Sequence, residues 1–526
     1  MFQKIQNIIE QICENPKISS LLLGILATFA LPPHHHLWSL FLSFGILSLI
    51  LEQTTGKKRA FAIGYFFGFG FFSIGFSWVA HALALDLSSF GWLIPIALLA
   101  SGAFFGLFGG LATFAASFFK GYYAKVVALA SFWAISEWIR SFFLTGFPWN
   151  LIGSVWTFNH LWLQTTSVIG TYGLSLLTIL IACLPFSLFL PPHKKNAVIG
   201  ITSSLCIIAF LFAFGFWRCR KLDNFENSSI SLRIVQPSIP QSLKWDFGSL
   251  EDNLIEYISM SQSEGFSDKN IIIWGETAST FPLKLDLAHF EMVEQAVPQN
   301  GYLINGSIDY SPQENDRWVP INAAHIIDKQ NGIINTYAKS HLVPFGEYIP
   351  LRGLIPASLR PITKTITDFM AGKSPETYHL ENIPSVGLLI CYEIIFPHQV
   401  YNPADRPEWL INLTNDGWYG KSAGPYQHLA SAQLRAAEEG LTIVRAANSG
   451  ISAIISRTGK IINSAPLHQK QNLDIFLPQH LSSPTIYSKY GNFSFFALTV
   501  FFLIIGSILS RKKVLIKEKN IDKYTQ

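Results

Sequence analysis

Long apolar segments separated by short polar loops constrain the fold of this chain more than any other feature. An α-helix needs about 20 residues to cross the hydrocarbon core of a bilayer. Segments of spanning or near-spanning length fall at residues 18–32, 37–52, 60–83, 90–118, 125–145, 164–190, 197–217 and 492–510, and the first two are the shortest. The pattern predicts a multi-span α-helical membrane domain with about eight transmembrane helices.

Charge is unevenly distributed along the chain. The 526 residues are 49% hydrophobic and 14% charged, whereas soluble proteins have about 25% charged residues. Between Phe61 and Trp217 the charged residues are Asp86, Lys120, Lys125, Glu137, Arg140, Lys194 and Lys195. From Arg218 to about Ser488, charged residues are frequent. We therefore predict a transmembrane domain at 1–217 with about seven helices, a soluble domain at 218–488, and a last helix with a basic tail at 489–526.

The basic residues predict an orientation. Lys57-Lys58-Arg59, Lys120 with Lys125, Lys194-Lys195 and the tail "RKKVLIKEK" all fall on one side if the spans alternate. Basic loops are typically cytoplasmic, so both termini are predicted to be cytoplasmic and residues 218–488 to lie outside. Topology thus explains the net charge of +4 better than a nucleic-acid partner does.

Metal and disulfide chemistry are not expected. The five cysteines include no CxxC pair and no zinc-ligand spacing. His34-His35-His36 follows Pro32-Pro33 and is interpreted as a polar loop at a membrane edge rather than a metal site. Glu137 and Arg140, three apart on a helix, are interpreted as a structural ion pair rather than a substrate contact.

The soluble domain alternates β-rich and helical patterns. Strands are predicted in "SLRIVQP", "NIIIWGE", "GYLINGSID", "NAAHIIDK", "SVGLLICYE", "PEWLINLTND", "LTIVRAANSG" and "ISAIISRTG"; helices are predicted in "SLEDNLIEYISMSQSEG", "LAHFEMVEQAVPQ" and "YQHLASAQLRAAEEG". Several strands are apolar along their whole length, as in sheets covered on both faces. An α/β sandwich is favoured over an antiparallel barrel, with functional residues where strands end.

Three such positions carry chemistry that packing does not explain. "NIIIWGETAST" ends at Glu276, "NTYAKSHLVPFGEYIP" presents Lys339 and Glu347 in a loop, and "VGLLICYEIIF" presents Cys391. A carboxylate, an ammonium and a thiol together make a nucleophile with its base and a cationic stabiliser. The backbone N–H of Tyr392 is a candidate oxyanion donor.

Other catalytic arrangements and another class of protein remain open. A Cys–His pair would use His325, His341, His398 or His428, of which His341 is the best placed in sequence. A Ser/His/Asp site is disfavoured, since no G-x-S-x-G occurs. A transporter or receptor would need polar groups in the helices, where only Glu137 and Arg140 are obvious.

The order Glu, Lys, Cys on an α/β sandwich resembles the nitrilase superfamily, and the apolipoprotein N-acyltransferase family within it most closely. The similarity rests on seven motifs in order: "IPQSLKWD" (239–246), "WGETA" (274–278), "YAKSHLVPFGEYIPL" (337–351), "ICYEIIF" (390–396), "NDGWYG" (415–420), "GPYQHLASAQLRAAEEG" (424–440) and "SGISAII" (449–455). With the predicted spans, it covers nearly the whole chain. It implies a nitrilase-like αββα sandwich beside the membrane domain.

The resemblance implies a role for each residue. Glu276 is expected to be the general base, Lys339 to stabilise the intermediate and Cys391 to be the nucleophile, with Glu347, Tyr392, Glu393 and Trp245 at supporting positions; we further expect Glu393 to orient Lys339 or its loop. Gly275 departs from the family, which usually has proline before the glutamate.

The implied reaction is a ping-pong transfer through a Cys thioester. The acyl group comes from the sn-1 ester of a phospholipid, typically phosphatidylethanolamine, and passes to the α-amine of an S-diacylglyceryl-cysteine on an apolipoprotein. No cofactor or metal is expected, the protein is expected to be a monomer in the bacterial inner membrane, and its catalytic domain is expected to be periplasmic. The alternative is a membrane-anchored nitrilase-type amidase or hydrolase.

The loop "VPFGEYIP" and residues 355–380 are predicted to gate the site.

Overall fold

A computed structural model describes residues 11–12, 14–224, 226–312, 318–354, 367–479 and 483–524. Residues 355–366 of the predicted gating region lie outside this description. The chain divides into two compact units. The first comprises residues 1–80, 86–219 and 485–526, and the second residues 81–85 and 220–484. These limits lie within four residues of the domain boundaries predicted at 217/218 and 488/489.

Helices make up most of the first unit. Over the described chain the α-helices are α1 Pro16–Ala27, α2 Leu37–Gln53, α3 Lys57–Gly75, α4 Val79–Ala84, α5 Leu87–Phe90, α6 Leu93–Ala116, α7 Tyr122–Arg140, α8 Thr166–Cys183, α9 His193–Leu222, α10 Gln241–Lys244, α11 Leu250–Ser261, α12 Leu287–Glu294, α13 Gly424–Glu439, α14 Ile486–Tyr490 and α15 Phe493–Tyr524. All eight predicted apolar segments contain helix.

Four helical segments among the described residues are long and apolar enough to cross a membrane: Leu93–Ala116, Thr166–Phe189, His193–Leu222 and Phe493–Lys513. The expected count of about eight is larger, and the other four segments fall short for identifiable reasons. Helices α1 and α2 have 12 and 17 residues. Helix α3 begins with Lys57-Lys58-Arg59, and α7 contains Lys125, Glu137 and Arg140.

Glu137 and Arg140 are buried and stabilise a loop of the first unit. Glu137 Oε1 accepts a hydrogen bond from the N–H of Ile152 at 2.8 Å. The Arg140 guanidinium donates to the carbonyl oxygen of Trp149 at 3.1 Å and lies 4.8 Å from the ring centre of Phe72. Each charge therefore has a backbone partner, so the pair ties α7 to residues 147–152.

The triplet at the predicted membrane edge also has structural contacts. His35 Nδ1 lies 3.1 Å from the carbonyl oxygen of Val155. The ring of His34 packs against Phe29 and against His36. These contacts fit the interpretation as a polar loop.

The described strands of the second unit form two six-stranded sheets. The strands are β1 Asn227–Gln236, β2 Ile271–Ile273, β3 Tyr302–Pro312, β4 Trp318–Asp328, β5 Gly332–Ala338, β6 Thr377–Tyr378, β7 Val386–Ile390, β8 Trp409–Thr414, β9 Thr442–Ala447, β10 Ala453–Ile455, β11 Ile461–Ser464 and β12 Gln471–Pro478. The strand orders are β12-β1-β2-β3-β4-β5 and β11-β10-β9-β8-β7-β6. Each sheet has a parallel centre, β1-β2-β3 or β7-β8-β9, with antiparallel strands at its edges.

Alternating residues on the strands fill two different cores. Ile271 and Ile273 of β2 pack in the core shared with the second sheet, whereas Ile272 packs in the core under α11 and α12. Helix α13 packs against β9 and β10. Because successive side chains point to opposite faces, a run such as "NIII" is apolar throughout when both faces are covered. The layers are helix, sheet, sheet, helix, as expected.

Candidate active site

Three strand ends carry the predicted reactive side chains. Lys339 directly follows β5, Cys391 directly follows β7, and Glu276 comes three residues after β2. The sequence pattern predicted a loop around Lys339; the structure adds strand β5, which ends at the residue before it. All three side chains belong to buried residues.

Cys391 occupies a strained turn. Its φ is 53°, in the left-handed region that residues with a side chain rarely adopt. It begins a 3₁₀-helix, Cys391–Ile395, immediately after the extended Ile390. Such strain is typical of sites where the surrounding structure fixes a functional conformation.

Lys339 joins two carboxylates. Its Nζ lies 3.1 Å from Glu276 Oε1 and 2.9 Å from Glu347 Oε1. Asn322 Nδ2, from β4, donates to the same two oxygen atoms at 2.8 Å each. Glu347 is fixed further by the N–H of Val343, which donates to its Oε2 at 2.7 Å. The two carboxylates therefore share one cation and one amide.

Before substrate binds, the electrostatics of the site favour a neutral thiol at Cys391, an ionised carboxylate at Glu276 and a protonated amine at Lys339. Burial raises the pKa of the Cys391 thiol and the Glu276 carboxylate adds to the rise, while Lys339 opposes it. Burial disfavours the Glu276 carboxylate, but Lys339 and Lys244 outweigh it and hold its pKa below the usual value. Burial also disfavours the Lys339 ammonium, but Glu276 and Glu347 outweigh it and raise its pKa.

Glu393 connects the two loops that carry Lys339 and Cys391. Its Oε1 accepts hydrogen bonds from the N–H groups of Ser340 at 2.7 Å and His341 at 3.1 Å, and from the Tyr337 hydroxyl at 2.6 Å. Its Oε2 accepts from the N–H of Ile390 at 2.6 Å. This carboxylate therefore accepts hydrogen bonds from backbone N–H groups on both sides of the site, and these bonds offset the free-energy cost of burying it.

A buried network lies behind Cys391, the predicted nucleophile. His428 Nε2, from α13, lies 3.1 Å from the carbonyl oxygen of Cys391, and Asn412 Nδ2 donates to the same oxygen at 3.4 Å. His428 Nδ1 lies 2.8 Å from Asp416 Oδ1. Arg445 donates to Asp416 Oδ2 at 2.7 Å and to Asn412 Oδ1 at 2.5 Å. These groups hold the backbone of Cys391.

The network was missed at the level of sequence, except that His428 was one of the histidines considered as a base. Its ring instead contacts the Cys391 backbone. His325 Nδ1 lies 3.0 Å from Thr336 Oγ1, and His398 Nδ1 lies 3.7 Å from Glu439 Oε1. The ring of His341 stacks on Phe396 with centres 3.9 Å apart.

The remaining residues predicted at supporting positions differ in exposure. Tyr392 is buried and its ring packs edge-on against Phe396, with centres 5.1 Å apart. Trp245 is 39% exposed. Its neighbour Lys244, also missed from the sequence, is buried and donates from Nζ to the carbonyl oxygen of Glu276 at 2.8 Å.

Gly275 lies in a close approach between backbone segments. A Cβ there would sit 3.1 Å from the N atom of Asn448 and 3.1 Å from the carbonyl oxygen of Thr414. Glycine therefore fits at position 275, because a residue with a side chain would crowd these backbone atoms next to Glu276.

Comparison with known proteins assigns both units. The apolipoprotein N-acyltransferase N-terminal domain matches residues 23–184, and the carbon-nitrogen hydrolase domain matches residues 231–477. The apolipoprotein N-acyltransferase of Rickettsia typhi is 36% identical over 506 residues, which cover 94% of this chain and 98% of that protein. The apolipoprotein N-acyltransferase of Rhodopseudomonas palustris is 34% identical over 514 residues, which cover 94% and 95%.

Among solved structures, the NitN amidase from Neterenkonia sp. AN1 is 14% identical and covers 47% of this chain and 93% of its own, with a TM-score of 0.35. The relatives from Rickettsia typhi and Rhodopseudomonas palustris, each more than 30% identical over nearly the whole chain, show the family. The family resemblance found in the motifs is confirmed: the chain belongs to the apolipoprotein N-acyltransferase family.

Proposed function

We propose that this protein transfers an acyl group from the sn-1 ester of a phospholipid to the α-amine of S-diacylglyceryl-cysteine at the N-terminus of an apolipoprotein. The observation that carries the proposal is the buried cluster at the ends of β2, β5 and β7, where Lys339 Nζ lies 3.1 Å from Glu276 Oε1 and both charges act on the Cys391 thiol. Full-length relatives with the apolipoprotein N-acyltransferase name support the choice of substrates.

In the first half-reaction, Cys391 is the nucleophile and Glu276 its general base. Because burial keeps the thiol protonated, we expect its proton to pass to Glu276 as Sγ attacks the ester carbonyl carbon. Negative charge then develops on the former carbonyl oxygen, where the Lys339 ammonium and the N–H of Tyr392 stabilise it. The intermediate collapses to a thioester, and the lysophospholipid alkoxide leaves with the proton from Glu276.

The second half-reaction uses the same groups. The α-amine of the acceptor attacks the thioester carbonyl carbon and gives a proton to Glu276. Collapse of the second intermediate breaks the C–S bond, forms the amide and returns the proton to the Cys391 sulfur. Each substrate meets one form of the enzyme, so ping-pong kinetics are expected.

The supporting residues have separate roles in this proposal. Glu347 helps to keep Lys339 charged, and Glu393 positions the loops on both sides of the site. Tyr392 supplies its backbone N–H, and the partly exposed ring of Trp245 contacts lipid.

We also propose the arrangement in the cell. The protein is a monomer in the bacterial inner membrane with about eight spans, cytoplasmic termini and a periplasmic catalytic domain. Four long apolar helices and the position of the basic loops support this arrangement. Phosphatidylethanolamine is the proposed donor.

Mass spectrometry of a lipoprotein N-terminus tests the proposal. Purified full-length protein is incubated in micelles with phosphatidylethanolamine and a diacylated lipoprotein, with Cys391→Ala as the control. The expected product carries one added N-acyl chain with the wild-type protein alone. An unchanged diacylated product, or equal acylation by Cys391→Ala, would overturn the proposal, and release of free fatty acid would favour the hydrolase alternative.

A further inference from the structure

Lys244 is a second buried lysine next to the reacting groups. It ends the short helix α10, is 3% exposed, and donates from Nζ to the main-chain carbonyl oxygen of Glu276 at 2.8 Å. At the other end of α10, Gln241 Oε1 accepts from Asn415 Nδ2 at 2.9 Å. Contacts at both ends therefore tie α10 to loops of the candidate site.

The carbonyl that Lys244 contacts lies in a strained turn. The next residue, Thr277, has a φ of 47°, which is uncommon for a β-branched side chain. Gly306 of β3 approaches the same turn so closely that a Cβ there would lie 2.8 Å from the Cα of Glu276. The main chain of Glu276 is therefore fixed from two sides, by β3 and by the Lys244 ammonium.

Lys244 interacts electrostatically with Glu276 and Cys391, which indicates a role in the site in addition to packing. Burial lowers its pKa to about 8, while the charges of Glu276 and Cys391 act in the opposite direction. The side chain is therefore mainly an ammonium at neutral pH. In return, Lys244 lowers the pKa of Glu276. A charge kept in a buried position at a cost in solvation is typical of functional sites.

We propose that Lys244 is a positioning residue for acyl transfer. Its ammonium fixes the main chain of Glu276 and stabilises the negative charge of the base and of the developing thiolate at Cys391. This inference rests on the proposed function, because it assigns those two roles to Glu276 and Cys391.

Two substitutions separate charge from hydrogen bonding. Lys244→Gln keeps an N–H donor and loses the charge, whereas Lys244→Met loses both. Lys470→Met is the matched control, since Lys470 is an exposed lysine paired with Glu256. Full-length proteins in micelles are compared in two measurements on the Cys391 peptide by mass spectrometry: the rate of thioester formation with phosphatidylethanolamine, and the rate of alkylation by iodoacetamide without lipid.

Both Lys244 variants are expected to react at least about tenfold more slowly than the wild type near pH 6.5, tenfold being one pKa unit. The ammonium is present below its pKa and lost above it, so the ratio of wild-type to variant rates should fall toward one as the pH rises through about 8. Lys470→Met should match the wild type throughout.

Wild-type rates in Lys244→Gln, or a rate ratio that does not change with pH, would overturn the inference. Cys391→Ala separates this failure from that of the proposed function. If Cys391→Ala still acylates, the proposed function fails. If it is inactive while both Lys244 variants behave as wild type, the Lys244 inference alone fails.

Discussion

Glu393 accepts a hydrogen bond at 2.7 Å from the backbone N–H of Ser340, the residue directly after Lys339. The same carboxylate accepts one at 2.6 Å from the N–H of Ile390, the residue directly before Cys391. One side chain thus sets the distance between the loop of the proposed cation and the turn of the proposed nucleophile.

Glu393→Gln should lower kcat while KM changes little. The amide replaces one carboxylate oxygen with an N–H group that faces existing donors, and a shift of about 1 Å in a catalytic group can cost on the order of 100-fold in rate. Steady-state acylation kinetics measure the effect, with the exposed Glu251→Gln as the control. A Glu393→Gln enzyme with wild-type kcat would show that the two loops hold their positions without the carboxylate.

His428→Ala should slow acylation about tenfold or more, because it removes the ring nitrogen that faces the Cys391 carbonyl oxygen at 3.1 Å. His428→Gln can still donate to that oxygen and should recover part of the rate. The test is the single-turnover rate of thioester formation. Equal rates for the Ala and Gln variants would argue against a positioning role for this ring.

Asp416 should make the protein sensitive to acid in a defined range. Burial opposes its ionisation, but Arg445 and His428 outweigh burial and lower its pKa from 3.8 to about 2. The stability this carboxylate provides is therefore complete above about pH 4 and is lost as the pH falls toward 2, an effect of about 2 kcal/mol in the free energy of unfolding.

Urea unfolding of the wild type and of Asp416→Asn across this range measures that contribution. The variant should be less stable near neutral pH, where it leaves Arg445 without its carboxylate partner, and should lose less stability between pH 4 and 2. Asp252→Asn, on the exposed side of α11, is the control. If the free energies of unfolding of Asp416→Asn and Asp252→Asn changed with pH in parallel, the stability would not depend on the ionisation of Asp416.

Gly306→Ala should impair activity through the backbone of the proposed base. An added Cβ would lie 2.3 Å from the carbonyl oxygen of Gly275 and 2.8 Å from the Cα of Glu276, and neither atom can move without shifting the turn. Gly353→Ala, where a Cβ meets nothing within 4 Å, is the control. Acylation rate and thermal unfolding are both measured, and wild-type activity in Gly306→Ala would show that the turn can relax.

The residues predicted from sequence were those at the ends of strongly patterned strands. Cys391 and Glu276 each interrupt an apolar run, so local pattern was enough to single them out. Asn412 and Arg445 lie inside strands that read as ordinary apolar segments, and their importance comes from pairing across the sheet. Lys244 lies beside the tryptophan that drew attention in "IPQSLKWD", yet its direction into the site depends on the short helix α10.

The helical part shows a similar limit. Segment 60–83 looks like one span, but α3 ends at Gly75 and a separate short helix, Val79–Ala84, follows. Apolar composition predicts burial in lipid or protein without distinguishing one helix from two. Helix α8 likewise includes Gly170 with a φ of 66°, a kink that hydropathy does not reveal.

The left-handed backbone at Cys391 also limits which nucleophiles evolution could substitute there. Cysteine and serine have an unbranched Cβ and cost less backbone strain at a φ of 53° than threonine, whose β-branched side chain occurs in this region only where the surrounding structure enforces it, as at Thr277 with a φ of 47°. In this turn, a change from the proposed thioester chemistry to ester chemistry therefore costs less backbone strain through serine than through threonine. The turn thus accommodates a change of the reacting atom between sulfur and oxygen more readily than a branch at the Cβ that carries it.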